Sequence, residues 1–356
     1  MKIHNFSAGP AILPEEVLRK SAQAVINFND SGLSLLEMSH RSKDFEDVMD
    51  KARQLVKDLL QLEDRYEVLF LQGGASTQFY MTALNLLTPN GFGAYVNTGT
   101  WASLAIGEAK RIGKVEVLAS SEADQFRHIP KGYDIPANAD YLHLTSNNTI
   151  YGTQMHAFPK SPVPVVCDMS SDIFSRPFQA NDFGLIYAGA QKNMGPAGVT
   201  MVIIDKNLLG KTGRSLPTML DYQVHASKES MFNTPPVFPI YVTMLTMQWL
   251  KDNGGLPWIG KVNEIKASTF YQALDANPCF KGTVATEDRS WMNATFLLTQ
   301  PELEKEFESM LKEAGISGLK GHRSVGGYRA SMYNALPLES VKVLVNVMDD
   351  FAQKFA

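Results

Sequence analysis

One lysine stands in surroundings that a surface lysine does not need. In Ala188-Gly189-Ala190-Gln191-Lys192-Asn193-Met194-Gly195-Pro196-Ala197-Gly198, Lys192 sits in a run of small residues directly after a strand-like stretch. Most lysines are solvated, but an amine that must lose its charge to attack a carbonyl is helped by desolvation, which lowers its pKa. The chemistry such a lysine could do is Schiff-base formation. Upstream, Val163-Pro164-Val165-Val166-Cys167-Asp168 reads as an apolar strand ending in an acid. Open α/β sheets bind ligands beyond the carboxyl ends of their strands, so Asp168 and Lys192 can face one crevice. A carboxylate there could pair with a protonated ring nitrogen and keep that ring an electron sink. Taken alone, an aspartate at a strand end serves equally well as a turn former or helix cap.

A second feature is Gln72-Gly73-Gly74-Ala75-Ser76-Thr77, lying between a strand and a helix. Small residues there let free amides face a phosphate, although glycine pairs are also ordinary connectors. The loop has neither the Walker spacing nor GxGxxG. Basic residues occur as two His-Arg pairs, His40-Arg41 and His322-Arg323, with Arg329 close behind the second. The planar arginine fork binds carboxylate or phosphate bidentately. Because the net charge is -4, such clusters point to small anions rather than to nucleic acid.

These residues need a scaffold, and from Tyr66 to Asp205 the chain alternates short β-branched or aromatic runs with helical patterns. That alternation predicts α/β layering around a mainly parallel sheet. Seven strands are expected: Glu67–Leu71, Ala94–Val96, Val115–Leu118, Tyr141–Leu144, Val163–Cys167, Leu185–Ala188 and Val199–Ile204. Several are apolar throughout, as strands covered on both faces must be. Thr77–Leu87 and Ala102–Ile112 have helical spacing, and Phe238–Leu250 reads as a buried helix. After Asn253-Gly254-Gly255 the pattern changes to a helix near Trp258–Leu274, a strand Asn293–Leu298, a helix Glu302–Ala314, a strand Tyr328–Tyr333 and a helix Leu338–Phe355. This predicts a smaller α+β domain.

Composition narrows the class. At 356 residues, 44% hydrophobic and 20% charged, the chain has the make-up of a two-domain globular protein. Cys167 and Cys279 are far apart and lack CxxC spacing, so neither a disulfide framework nor a metal site is expected. The N-terminal stretch lacks the apolar core of a signal peptide. Phe238–Leu250 is shorter than the ~18 apolar residues of a membrane span. A cytoplasmic location, with no membrane partner, is the expectation.

Together these motifs resemble the phosphoserine aminotransferase family, fold-type-I enzymes of the class V aminotransferase group. The likeness rests on Asn5-Phe6-Ser7-Ala8-Gly9-Pro10-Ala11, Met38-Ser39-His40-Arg41-Ser42, the Gly73-Gly74 loop, Asp168, Ala190-Gln191-Lys192-Asn193, Asn233-Thr234-Pro235-Pro236 and Gly321 through Ser331. The resemblance implies a fold-type-I transferase using pyridoxal 5'-phosphate, with a large domain at 16–255 and a small one made of 1–15 and 256–356. It implies that Lys192 forms the Schiff base and that Asp168 binds the pyridine nitrogen. It also implies that Trp101 stacks on the ring and Thr149 touches its edge. The phosphate would meet Ala75, Ser76 and Gln191, with Asn233 and Thr234 reaching over from the second subunit of a homodimer. Arg329 would take the α-carboxylate, while His40-Arg41 and His322-Arg323 take the distal anion, the latter pair across the dimer interface. Ser76 departs from relatives that carry an arginine in this loop, which touches one phosphate contact only.

The expected reaction is reversible amino transfer between O-phosphoserine with 2-oxoglutarate and 3-phosphohydroxypyruvate with glutamate, in serine biosynthesis. The four-carbon phosphohydroxythreonine of pyridoxine biosynthesis is a possible further substrate. A small-amino-acid:glyoxylate aminotransferase is the nearest alternative, but it would leave the His-Arg pairs without an anion. A cysteine desulfurase would need a mobile cysteine, and Cys167 lies within a predicted strand. A non-catalytic module binding a phosphorylated ligand through the glycine loop is the reading from another class.

Overall fold

The structure, a computed structural model, describes residues 3–356. Met1 and Lys2, part of the stretch expected in the small domain, lie outside the described residues. The chain opens with a short strand β1 (His4–Asn5), followed by helices α1 (Glu15–Ile26) and α2 (Lys43–Leu60). Helix α2 forms because Phe45, Val48, Met49, Ala52, Leu55, Val56 and Leu59 recur at helical spacing and are all buried. Ser42 caps it by accepting the Phe45 amide, and Gln61 ends it in the left-handed region.

Alternation then sets in: β2 (Tyr66–Leu71), α3 (Gly74–Leu86), β3 (Phe92–Asn97), α4 (Thr100–Lys110), β4 (Lys114–Ser120), β5 (Tyr141–Thr145), β6 (Val165–Asp168), β7 (Leu185–Gly189) and β8 (Thr200–Asp205). These seven strands make one sheet in the order β2-β8-β7-β6-β5-β3-β4. Only β8 runs against its neighbours. Strand β2 is therefore parallel to β7, and its carboxyl end opens on the same edge as those of β3, β5, β6 and β7. Every residue of β3, β5, β6, β7 and β8 is buried, which is why these strands read as unbroken apolar runs. All seven expected strands are present. Strand β8 starts one residue late, at Thr200, and β6 two residues late, at Val165, because Pro164 has no amide to give the ladder, although its carbonyl still accepts from Leu142.

Helices α5 (Tyr222–Ser227) and α6 (Val237–Asp252) follow, then α7 (Gly255–Ala276), β9 (Phe280–Gly282), β10 (Asn293–Leu298), α8 (Glu304–Glu313), β11 (Ile316–Ser317), β12 (Tyr328–Ser331) and α9 (Leu338–Phe355). Strand β10 is flanked by antiparallel β9 and β12, and β1 pairs with β11. Phe6 consequently joins the core built by Phe270, Phe280, Phe296, Phe307 and Phe351. Helix α7 spans two cores. Its first turns bury Leu256 and Ile259 against the large sheet's layer, and its later turns bury Phe270 and Leu274 in the small one. The expected boundary at 255/256 thus falls at the start of a helix that ties both halves together.

Phe270 is fully buried with its ring 5.4 Å from that of Phe296, whereas Ile265 on the same helix is half exposed. Phe270→Ala should therefore lower unfolding free energy by about 3–5 kcal/mol, while Ile265→Ala stays within about 0.5 kcal/mol. Equilibrium urea unfolding of the two variants checks both values.

Candidate active site

Five parallel strands deliver their carboxyl ends to one crevice. The connections after β3 and after β5 leave in opposite directions, toward β4 and toward β6, so a switch point opens between them. Trp101, in the first turn of α4 just past β3, and Thr149, just past β5, stand on its two sides. Asp168 ends β6, Lys192 follows β7, and the glycine loop follows β2. A cavity of about 360 Å³ lies here, lined by Ala75, Ser76, Trp101, Thr149, Asp168, Gln191, Lys192, His322 and Arg329 among others. Its size is in the range of small-cofactor pockets.

Lys192 is held by a tight turn in which the amides of Lys192, Met194 and Gly195 all donate to the Ala190 carbonyl. Its Nζ donates to Thr149 Oγ1 at 2.8 Å and lies 5.9 Å from the centre of the Trp101 ring. Burial pulls its pKa down to about 8; Asp168 opposes that shift and Arg329 reinforces it. Asp168 is buried, and burial pushes its carboxyl above the usual range against the pull of Ser170 and of Lys192. Asp168 Oδ1 accepts from the Ser170 amide at 2.9 Å. Arg329, on β12 of the small domain, reaches over to donate from Nη1 to the Thr149 carbonyl at 3.1 Å. Thr149 thus touches both the amine and the guanidinium.

The N-terminal segment closes the other wall. Ala11 donates to the Gln191 carbonyl, and a Cβ built on Gly9, whose φ is +141°, would stand 3.4 Å from Lys192 Cγ. Glycine suits this close approach in that backbone region. At the far end, Gly73 and Gly74 both have positive φ, and helix α3 starts without a side-chain cap. Gly74, Ala75 and Ser76 of its first turn line the cavity, and the first amides of a helix have no partner within it. The helix begins before the expected Thr77 because the two glycines make the turn themselves.

Pyridoxal phosphate fits these residues. Asp168 is a buried acid with an amide for a partner, which a protonated ring nitrogen would complement. The uncapped α3 terminus suits a phosphate, and the half-buried Trp101 offers a ring face. Thr145, beside Asp168 in the sheet register, lines the same cavity, and its buried hydroxyl has no partner among the described residues.

The other expected site residues lie apart. His40 is half buried with Nε2 unpartnered, and Arg41 and Arg323 are exposed; none of the three lines the cavity. Asn233 and Thr234 are exposed as well, and the Thr234 carbonyl accepts from Gln72 Nε2 at the foot of the glycine loop. His322, expected to arrive across a dimer interface, also borders the cavity of its own chain. The reason is local. Gly321 donates to the Gly327 carbonyl and Arg329 to the Leu319 carbonyl, so the 322–326 loop folds back over the strand that carries Arg329.

Sequence reasoning missed Ser170, Ser171, Asn147, Thr145 and Phe79, all of which line the cavity. The Asp168-x-Ser170 spacing was a usable signal, since aspartate commonly accepts the amide two residues on. Nothing local marked Phe79, which reaches the cavity from a helix interior.

The chain was compared with known proteins. A family model described as Aminotransferase class-V matches residues 3–344. A phosphoserine aminotransferase of Flavobacterium psychrophilum is 62% identical over 99% of this chain and 100% of its own length. The solved phosphoserine aminotransferase of Bacillus circulans subsp. alkalophilus superposes with a TM-score of 0.97 at 47% identity, covering 100% of this chain and 99% of that one. A pyridoxal-phosphate-bound phosphoserine aminotransferase from Trichomonas vaginalis gives 0.92 at 35% identity, covering 98% and 100%.

Only the neutral amine condenses with an aldehyde, and the Lys192 pKa of about 8 sets when it is available. Capture of pyridoxal phosphate by cofactor-free protein should accelerate about tenfold per pH unit up to that value and then level off. Stopped-flow absorbance follows it. Borohydride reduction and peptide mapping should place the adduct on Lys192, and Lys192→Ala should abolish it.

Proposed function

The chain belongs to the class V aminotransferase family, and from that membership we propose that it catalyses the phosphoserine aminotransferase reaction. It moves an amino group reversibly between O-phospho-L-serine with 2-oxoglutarate and 3-phosphohydroxypyruvate with L-glutamate, a step of serine biosynthesis. The observation that carries this reading is the placement of Lys192, Asp168 and Arg329 around one cavity. Bound pyridoxal phosphate supplies an aldehyde that condenses with amines and a ring that draws in the electron pair left when Cα is deprotonated.

The protein's own groups do the rest. Asp168, buried and held by the Ser170 amide, would pair with the ring nitrogen of a bound cofactor and favour its protonated form. Thr149 holds Lys192 Nζ at the cavity wall; with cofactor and substrate bound, a free Nζ would take the proton from the substrate Cα as general base and would deliver it to the cofactor's own carbon as general acid. Arg329 clamps the α-carboxylate bidentately, which fixes Cα above the amine. Its buried Nε has no hydrogen-bond partner among the described residues. Trp101 covers one ring face and keeps water from the reacting atoms. Ala75, Ser76 and Gln191 hold the phosphate with the open α3 amides.

The distal anion, phosphate in one substrate and carboxylate in the other, meets His322 at the mouth of the cavity. His40, Arg41 and Arg323 complete that recognition, and Asn233 and Thr234 reach a neighbouring copy's phosphate site. A homodimer with shared sites follows, supported by the exposed positions of Arg41, Arg323, Asn233 and Thr234 outside their own chain's cavity. The working division into a large domain at 16–255 and a small one at 1–15 and 256–356 places Arg329 opposite Lys192 across the domain interface. Among the described residues no helix is long and apolar enough to cross a membrane, in keeping with a cytoplasmic enzyme. The four-carbon 4-phosphohydroxy-L-threonine, used in pyridoxine biosynthesis, has the same end groups and is a second candidate substrate.

Half-reactions with phosphoserine, phosphohydroxythreonine, glutamate and alanine test the reading. The three dianionic or trianionic donors should convert the cofactor to its amine form far faster than alanine does, and conversion by alanine alone would sink the anion-pocket argument. Arg329→Gln should raise KM for every donor by roughly 30-fold or more, the loss of about 2 kcal/mol from a charge-assisted pair.

A further inference from the structure

Lys266, in the middle of α7, has none of its surface exposed to solvent. No carboxylate pairs with it among the described residues. Its Nζ instead donates to three carbonyls: Met332 at 3.0 Å, Tyr333 at 2.7 Å and Leu336 at 3.1 Å. Three N–H groups meet three acceptors, a match that only the ammonium form completes. Burial drives its pKa down to about 7, and the three carbonyl dipoles work against that by favouring the charge. The arrangement also ends β12 at Ser331, short of the expected Tyr333, because the next carbonyls turn inward to the amine.

The segment so held is joined to the active site at three points. Tyr333 Oη donates to the Ala8 carbonyl at 2.8 Å, next to the Gly9 that packs on Lys192, and accepts from Asn293 Nδ2. The Asn334 amide donates to Asn193 Oδ1, on the residue after Lys192. Arg329 enters the cavity from the strand that runs directly into this segment. One turn before Lys266, Asn263 Nδ2 bridges Asn334 Oδ1 and the Ser175 carbonyl of the large domain. Asn263 and Lys266 share one face of α7 at i, i+3 spacing.

We propose that Lys266 is a positioning residue for amino transfer: by gathering the 332, 333 and 336 carbonyls it fixes where Arg329 and Tyr333 stand relative to Lys192. The inference rests on the aminotransferase reading and extends it, since none of the cavity-lining residues includes Lys266. A shift of the Arg329 guanidinium misaligns the bound α-carboxylate in the ground state and the transition state alike, so the loss appears as weaker binding.

The test compares the cofactor-loaded parent with Lys266→Met and Lys266→Gln. In Lys266→Met, KM for glutamate and for phosphoserine should rise about tenfold or more, with kcat within about threefold. Lys266→Gln, which restores two N–H donors, should recover most of that loss. Amide hydrogen exchange over 332–336 should quicken in the methionine variant in parallel with KM. A folded methionine variant whose KM is unchanged, whatever its melting temperature, overturns the proposal and leaves Lys266 a packing residue. Should the methionine variant not fold, the glutamine variant decides through the link between exchange and binding: KM that rises or stays parental in step with exchange over 332–336 supports the proposal, while quickened exchange with KM within about twofold of the parent, or raised KM with unaltered exchange, refutes it. Failure of the activity reading itself would show in the parent, before any variant is compared.

Discussion

The structure turns on a buried acid and a buried amine placed at the ends of neighbouring strands. Neither Asp168 nor Lys192 would keep its ordinary pKa here: desolvation lifts the first and lowers the second, and each moderates the other. Such a pair is costly in a folded chain unless other groups satisfy it. Ser170 and Thr149 do so with neutral hydrogen bonds. The result is an amine that gives up its proton far more readily than an exposed lysine and a carboxylate without a cation of its own among the described residues, the features that carbonyl condensation and ring-nitrogen pairing call for.

Around that pair the sheet acts as a ruler. Register fixes Thr145 beside Asp168 and Asp168 beside Tyr187, so the cavity floor is set by backbone hydrogen bonds rather than by side-chain choice. Strands buried on both faces resist local rearrangement, because shifting one would expose or overpack every neighbour. The mobile choices are left to the loops that follow the strands. Among these, the glycine loop opens a helix terminus, and the turn after β7 aims Lys192.

The C-terminal segment that carries β10 and β12 does more than cover this arrangement. Arg329 bonds to the Thr149 carbonyl, Tyr333 to the Ala8 carbonyl and Asn334 to Asn193. These polar links cross between two separate aromatic and aliphatic cores that share helix α7. Arg329, proposed to bind the substrate's carboxylate, thus sits on the strand that leads into the segment bonded to Asn193 beside Lys192, and the carbonyls of that segment are the ones that Lys266 holds.

Much of this was legible in the chain. Apolar runs disclosed the seven strands, since burial on both faces leaves an unbroken hydrophobic signature, and small neighbours singled out Lys192 because a desolvated amine tolerates no bulky polar surroundings. Helices α1 and α2 were not picked out, although α2 has a regular apolar face; their amphipathic signal lay in the segment read for its His-Arg motif. What composition and spacing could not supply was proximity between distant segments. That His322 shares a cavity with Lys192 in one chain, that Phe79 reaches it from a helix interior, and that Lys266 is buried beneath three carbonyls all depend on how separate elements pack. Local sequence dictates periodicity and turns, because those arise from neighbouring residues; which side chains meet across the fold is decided only when the two cores close on each other and their polar groups must find partners.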